Sequence, residues 1–380
     1  MPKTADTAND FVFYNGRKLR KGYTTGTTAT AASVAATKAI LDQADQVTVE
    51  VLAANGQKVQ FDIVDCTFDK HSASVAIKKD GGDDQDATDG MLIYATVTLR
   101  DDDQITLDGG KGIGRVTQKG LANAPGMPAI NPTPRKMIKT SVRKVLGDKA
   151  GADIVISAPE GERVAKMTYN PKLGIVGGIS ILGTSGIVTP MSVESWKKSI
   201  SIEMNIHKQR GDTRIILTPG NYGEDFLTQQ MHIPNTQQVQ MSNFVGYVLK
   251  EVQRLGFTKL LLVGDMGKFI KIAGGIFSTH SRDADARAEI MVANLALLGA
   301  PLDLLKKVND SITTIEMVDL IDEAGYQAVY QVIVDKIQKR AARLLAHRQP
   351  HVDIDAVVFS QKTKLLASTK PIEEIEAEWK

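Results

Sequence analysis

Between positions 174 and 192 the chain reads Gly-Ile-Val-Gly-Gly-Ile-Ser-Ile-Leu-Gly-Thr-Ser-Gly-Ile-Val-Thr-Pro-Met-Ser. Five glycines stand here among β-branched residues. The pattern predicts strand pieces at Ile179 and Ile181 and at Ile187 and Val188, flanking Gly183, Thr184, Ser185 and Gly186. Glycine admits positive φ and the close approach of another group. Thr184 and Ser185 add hydroxyls to the free amides of such a turn. Two readings stay open: a loop built to hold something polar, or a hairpin whose glycines serve only the turn. Pro190 fits the start of a helix opened by Ser192 and Glu194.

At 380 residues the chain has the length of about two domains. Strands predominate before the glycine stretch, at 47–52, 58–64, 74–78, 92–99, 104–107 and 154–158. Helices are expected at 29–41 and at about 133–146. This predicts an α+β domain of mixed sheet over 1–192, its first ten residues a loose tail. From 193 strand and helix alternate. Helices are expected at 192–210, 244–255, 284–298, 314–324 and 328–347. Strands are expected at 213–218, 259–263, 357–360 and 364–367, with a short apolar stretch at 239–241. Residues 260–263 form a near-continuous apolar run, as buried parallel strands do. Residues 193–380 are therefore read as a doubly wound, Rossmann-like α/β domain, whose ligands bind beyond the carboxyl ends of the strands.

A net charge of +2 provides no field for nucleic acid or a membrane. The single cysteine, Cys66, excludes an intramolecular disulfide and fits a reducing compartment. No apolar signal core or membrane-length apolar run occurs, which predicts a cytoplasmic protein. The six histidines show no ligand spacing, so no protein-bound metal is expected. Residues 79–89 hold five aspartates without EF-hand spacing and read as an exposed acidic turn. Residues 109–114, Gly-Gly-Lys-Gly-Ile-Gly, give only a weak dinucleotide signature. The segment 264–268 reads as a loop but fails the Walker pattern, because Leu262 and Phe269 stand where Gly and Ser or Thr are required. Thr24, Thr25, Gly26 and Thr27 precede an alanine-rich helix, an arrangement that suits an anion or serves as a simple cap. His280 stands among hydroxyls before a helix, as a proton carrier or only a loop hydrogen-bonding residue.

Several stretches together resemble the CbiD family. They are Gly22-Tyr-Thr-Thr-Gly26, Lys79-Asp-Gly-Gly-Asp-Asp, Gly112-Ile-Gly-Arg-Val-Thr117, Pro128-Ala-Ile-Asn-Pro132, 173–188, Pro219-Gly-Asn-Tyr-Gly223, Ser242-Asn-Phe-Val-Gly246, Ala273-Gly-Gly-Ile and Thr279-His-Ser281. The resemblance runs from about residue 19 to 367. It implies methylation of carbon 1 of cobalt-precorrin-5B to cobalt-precorrin-6A in anaerobic cobalamin biosynthesis. S-adenosylmethionine would be the donor, with cobalt carried by the substrate. The chain departs from the family pattern at Thr28, where cysteine is common, at Lys111 (glutamate) and at Asp265 (histidine). Covalent thiol catalysis is therefore rejected.

On this reading His280 is expected as general base, oriented by Ser281 and Asp283. Asn221, Tyr222, Gly264, Asp265 and Gly267 are expected to hold the cofactor. Thr24, Thr25, Gly26, Thr27, Arg115, Arg135, Gly183, Thr184, Ser185, Gly186 and Lys268 are expected around the tetrapyrrole and its carboxylates. A homo-oligomer and transient contact with other cobalamin-pathway enzymes are the remaining partner expectations. The alternatives are a nucleotide-dependent oxidoreductase and a non-catalytic carrier of cobalt-corrinoids.

Overall fold

The computed structural model describes residues 10–380; residues 1–9, most of the tail expected over 1–10, lie outside the described residues. The chain divides into two compact units between Val193 and Glu194.

In the first unit the alanine-rich segment forms helix α1 (Thr25–Asp42). Ala29, Ala31, Ala32, Ala35, Ala36 and Ala39 are fully buried on it. Small side chains on every face let a helix be enclosed on several sides. Strands β1 (Thr48–Leu52), β2 (Lys58–Phe68), β3 (Ser72–Lys78), β4 (Leu92–Arg100) and β5 (Ile105–Gly109) follow, then helix α2 (Pro132–Leu146) and strand β6 (Gly151–Ser157). In space the order is β1-β2-β3-β4-β6-β5. All pairs are antiparallel except the parallel β6–β5 edge. Alternate residues Ala73, Val75 and Ile77 of β3, and Ile93, Ala95 and Val97 of β4, are buried in the core with α1.

The acidic turn is not the loose solvated run expected. Asp80 takes Arg20 bidentately at 2.7 and 2.6 Å. Asp83 accepts from the Arg20 amide at 2.6 Å, Asp84 from the Met191 amide at 3.0 Å and Asp89 from the Gly81 amide at 2.6 Å. Asp86 binds the Lys79 ammonium at 2.6 Å, and that lysine is 1% exposed. The run is a set of clamps: Asp80, Asp83 and Asp84 meet donors from elsewhere in the chain, and Asp86 and Asp89 meet Lys79 and Gly81 within it.

The second unit opens with α3 (Val193–Gln209), which begins at the unit boundary. Then come β7 (Arg214–Thr218), α4 (Asn221–Asp225), β8 (Gln238–Gln240), α5 (Val245–Arg254), β9 (Lys259–Asp265) and α6 (Met266–Ala273). Helices α7 (Arg287–Leu297), α8 (Leu302–Asp310), α9 (Thr314–Glu323) and α10 (Ala328–Leu345), strands β10 (Asp353–Ser360) and β11 (Lys364–Ser368), and α11 (Ile372–Trp379) complete it. The sheet order is β8-β7-β9-β10-β11; the first four strands are parallel and β11 is antiparallel. Leu260 and Leu262 point into the larger apolar core, while Leu261 and Val263 point into a second one with Phe226, Phe359 and Trp379. A strand buried on both faces needs this continuous apolar run.

The segment 264–268, expected to be a loop, is the end of β9 and the first turn of α6. Its Gly, Phe and Ile have modest helix propensity. Burial of Phe269, Ile270 and Ile272, and the Asp265 cap, decide the conformation instead. Helices α8 and α11, each entered through a proline, were also not anticipated.

Candidate functional site

From β7 the chain moves outward to β8, then crosses back over β7 to β9 on the other side. The connections therefore diverge at the carboxyl ends of β7 and β9, the place where open parallel sheets bind ligands. Asn221 begins α4 just beyond β7, and its Oδ1 accepts from Gln240 Nε2 at 2.9 Å. Tyr222 is 55% exposed, with the Lys362 ammonium 4.4 Å from its ring centroid. Asp265 ends β9 and caps α6, its Oδ1 accepting from the Gly267 amide at 2.8 Å. Burial pushes the Asp265 carboxyl up, against the pull of that amide and of the Lys268 charge. Burial likewise pushes the Lys268 ammonium down, with Asp265 opposing. A part-buried carboxylate with a spare oxygen suits hydroxyl or ammonium donors.

Topology thus brings Asn221, Tyr222, Asp265 and Gly267 to one edge of one sheet. Lys268, expected near the tetrapyrrole, belongs to this edge too. Gly264 plays a different part: it is buried, and a Cβ there would lie 2.2 Å from Phe269 Cε1. Its missing side chain makes room for the phenylalanine. Sequence reasoning missed Gln240, the last residue of β8, and Lys362, in the turn between β10 and β11; neither carries a local motif.

His280 lies in the exposed segment before α7, and its Nδ1 accepts from the Arg282 amide at 3.1 Å. In a neutral imidazole held this way the proton lies on Nε2. The expected orienting role of Asp283 is corrected: its carboxylate accepts from Ser278 Oγ, and its amide donates to the His280 carbonyl. Ser281 is exposed and makes no side-chain hydrogen bond to His280.

In the first unit the glycine stretch is not a hairpin. Gly178–Ile179 pairs in parallel with Gly112–Ile113, and Ile187–Val188 pairs antiparallel with Gly22–Tyr23. The loop between lies on the start of α1. The Gly26 amide donates to the Leu182 carbonyl at 2.9 Å, and the Thr24 amide to Gly186 at 3.1 Å. Thr27 Oγ1 donates to Gly186 at 2.7 Å, and Thr25 Oγ1 to Ser180 at 3.1 Å. These groups, expected at a substrate, are occupied in holding the loop. Thr184 and Ser185 remain exposed at its tip. Arg115 grips Asp108 and the carbonyls of Gly109 and Gly126, and Arg135 reaches those of Leu107 and Ile130. Both arginines thus brace backbone. The glycines at 109–114 lead into two-residue strands, not a helix, so they make no dinucleotide loop.

Gly183 has φ +131°, and a Cβ there would lie 2.3 Å from Thr24 Oγ1. Gly183→Ala is expected to destabilise the protein by about 2 kcal/mol through strain and crowding. Thr184→Ala, at the exposed tip, should stay within about 0.5 kcal/mol. Urea melts of the two variants check this, and equal losses would refute the assignment of strain to position 183.

The family model CbiD matches residues 13–190, and the model for the CbiD C-terminal domain matches residues 278–370. The chain is 54% identical over 370 residues to a cobalt-precorrin-5B C(1)-methyltransferase of Listeria welshimeri, covering 97% of this chain and 99% of that one. The chain belongs to the CbiD family. A Citrobacter koseri member of the same name is 49% identical over 364 residues, 96% of each chain. A crystal structure of a cobalamin biosynthesis protein (cbiD) from Archaeoglobus fulgidus is 28% identical, covering 74% of this chain and 88% of that one, with a TM-score of 0.38. Among the described residues of this family member no helix is long and apolar enough to cross a membrane.

Proposed function

We propose that this chain methylates carbon 1 of cobalt-precorrin-5B, giving cobalt-precorrin-6A in anaerobic cobalamin biosynthesis, with S-adenosylmethionine as donor. The observation that carries the reading is the 54% identity to a methyltransferase of that name across 97% of the chain. In this reading the second unit is a doubly wound, Rossmann-like domain, and the enzyme is cytoplasmic. Its partners are the tetrapyrrole and, transiently, neighbouring enzymes of the pathway.

In this reading a crevice beyond β7 and β9 takes the donor. Asn221 offers an amide side chain, Tyr222 an aromatic surface and Asp265 a carboxylate oxygen, positioned by the Gly267 amide. Bound there, S-adenosylmethionine supplies an electrophilic methyl group on a sulfonium. The protein's task is then to align the acceptor carbon and exclude water. His280, with its proton on Nε2 when neutral, donates a hydrogen bond that holds the acceptor in line with the methyl group.

Calorimetric titration with S-adenosylhomocysteine tests the donor site. The wild type is expected to bind saturably, and Asn221→Ala combined with Tyr222→Ala to weaken binding about tenfold or more, the loss of one to two hydrogen bonds and a ring contact. Unchanged affinity in the double variant would remove the crevice from the reading. NADPH, as a parallel control, should not bind.

A further inference from the structure

Lys271 stands on α6, and Thr279 in the segment joining α6 to α7. Lys271 is 2% exposed and Thr279 is 3% exposed. The Lys271 ammonium makes one hydrogen bond, to the Thr279 carbonyl at 3.2 Å, and no ion pair. Two of its three donors therefore lack acceptors in an enclosed position, where an unpaired charge is costly. Thr279 Oγ1 has no hydrogen-bond partner at all. Two neighbouring buried residues thus lack the same thing, an oxygen acceptor. Burial pushes the Lys271 ammonium down, and Asp285 and Asp283 act on it only from a distance. Neither is free to pair with it: Asp285 is gripped by Arg287 at 2.7 and 2.8 Å, and Asp283 by Ser278.

The place of this pair in the fold matters. Helix α6 leaves the carboxyl end of β9, and the Thr279 amide donates to the Asn243 carbonyl at 3.1 Å, three residues beyond β8. Lys271 and Thr279 therefore lie on the same sheet edge as Asn221 and Asp265. A buried lysine that pairs with nothing in the chain is poorly explained by stability, since an apolar residue of its size would serve better.

We infer that Lys271 and Thr279 form a carboxylate-binding subsite at this edge, the ammonium and the hydroxyl donating to one carboxylate group of a ligand. Both ligands of the proposed reaction carry that chemistry: the methionyl carboxylate of the donor, and the acetate and propionate side chains of the tetrapyrrole. Only the first of these sources rests on the donor reading above. His280 adjoins Thr279 in sequence, so a carboxylate held here also fixes the segment that carries the imidazole.

The test uses the full-length protein and three probes: S-adenosylhomocysteine, 5′-methylthioadenosine, which lacks the amino-acid part, and uroporphyrin III, a stable octacarboxylate. Lys271→Met is expected to weaken at least one carboxylate probe by about tenfold or more, as loss of a charged hydrogen bond does. Its melting temperature should be unchanged or raised. Thr279→Val, nearly isosteric, should weaken the same probe about threefold or more, and it decides the matter if Lys271→Met does not fold. If the advantage of the homocysteine compound over the methylthio compound disappears, the carboxylate is the donor's. If uroporphyrin III affinity falls instead, it is the acceptor's. Wild-type affinities for all probes in both variants, or no wild-type binding of either carboxylate probe, overturn the inference. Wild-type failure to bind S-adenosylhomocysteine with uroporphyrin III still sensitive to Lys271→Met would overturn the donor reading alone.

Discussion

His280→Ala is expected to slow a single turnover of methyl transfer by about 100-fold, the loss that follows when a reacting group is no longer held in line. His280→Gln should retain all but about a tenfold loss, because a glutamine amide can donate from nearly the position of Nε2. The distinction follows from one contact. The Arg282 amide occupies the Nδ1 lone pair at 3.1 Å, so the neutral ring has a proton, not a lone pair, to offer on Nε2. A base would lose as much activity with glutamine as with alanine; a donor would not. Rapid-quench measurement under anaerobic conditions, with circular dichroism to verify the fold, separates the cases. A loss below about tenfold for His280→Ala would remove the residue from the chemistry.

Asp86→Asn is expected to destabilise the protein by about 3–5 kcal/mol at neutral pH, because it leaves the buried Lys79 ammonium without its counter-charge. The pair is 2.6 Å apart, and Lys79 is 1% exposed. Burial pushes the Asp86 carboxyl up, but the Lys79 charge and the hydrogen bonds from Lys79 and Thr88 outweigh it and hold it below the ordinary carboxylate range. A depressed folded value means that the stabilisation is fully present above the unfolded carboxylate value, about 3.9, and is lost as pH falls through the folded value. Wild type and variant should therefore differ widely in urea melts at pH 7, and the gap should begin to shrink as pH falls below about 4. A gap that stays constant from pH 7 to pH 3 would show that ionisation of Asp86 is not what holds Lys79.

How much could be read from residues alone differs between the two units. In the second, the run at 260–263 and the amphipathic helices at 245–254 and 328–345 mark their own conformations, since periodic burial is written into apolar spacing. The carboxyl strand ends could be grouped at one edge because parallel topology always places them together. Helix α6 could not be read, since its glycine and β-branched residues become helical only when buried behind the Asp265 cap. In the first unit, the hydroxyls of Thr24, Thr25 and Thr27 suggested a ligand, yet Thr25 and Thr27 donate to the chain's own carbonyls at Ser180 and Gly186, and Thr24 accepts from the Thr27 amide.

Sequence alone determined the family, the two-part organisation, the enclosed alanine helix and the parallel core strand. These depend on local composition and on motif order along the chain. Only the tertiary structure decided which polar groups are already matched. It turned the aspartates at 80–89 into clamps, assigned Arg115 and Arg135 to backbone carbonyls, and gave His280 a donor's tautomer. It also left Lys271 and Thr279 buried without an acceptor. The physical reason is that hydrogen bonding in a folded chain pairs groups far apart in sequence, such as Arg20 with Asp80 and Thr27 with Gly186. No residue pattern shows which donors remain free until that pairing has been made.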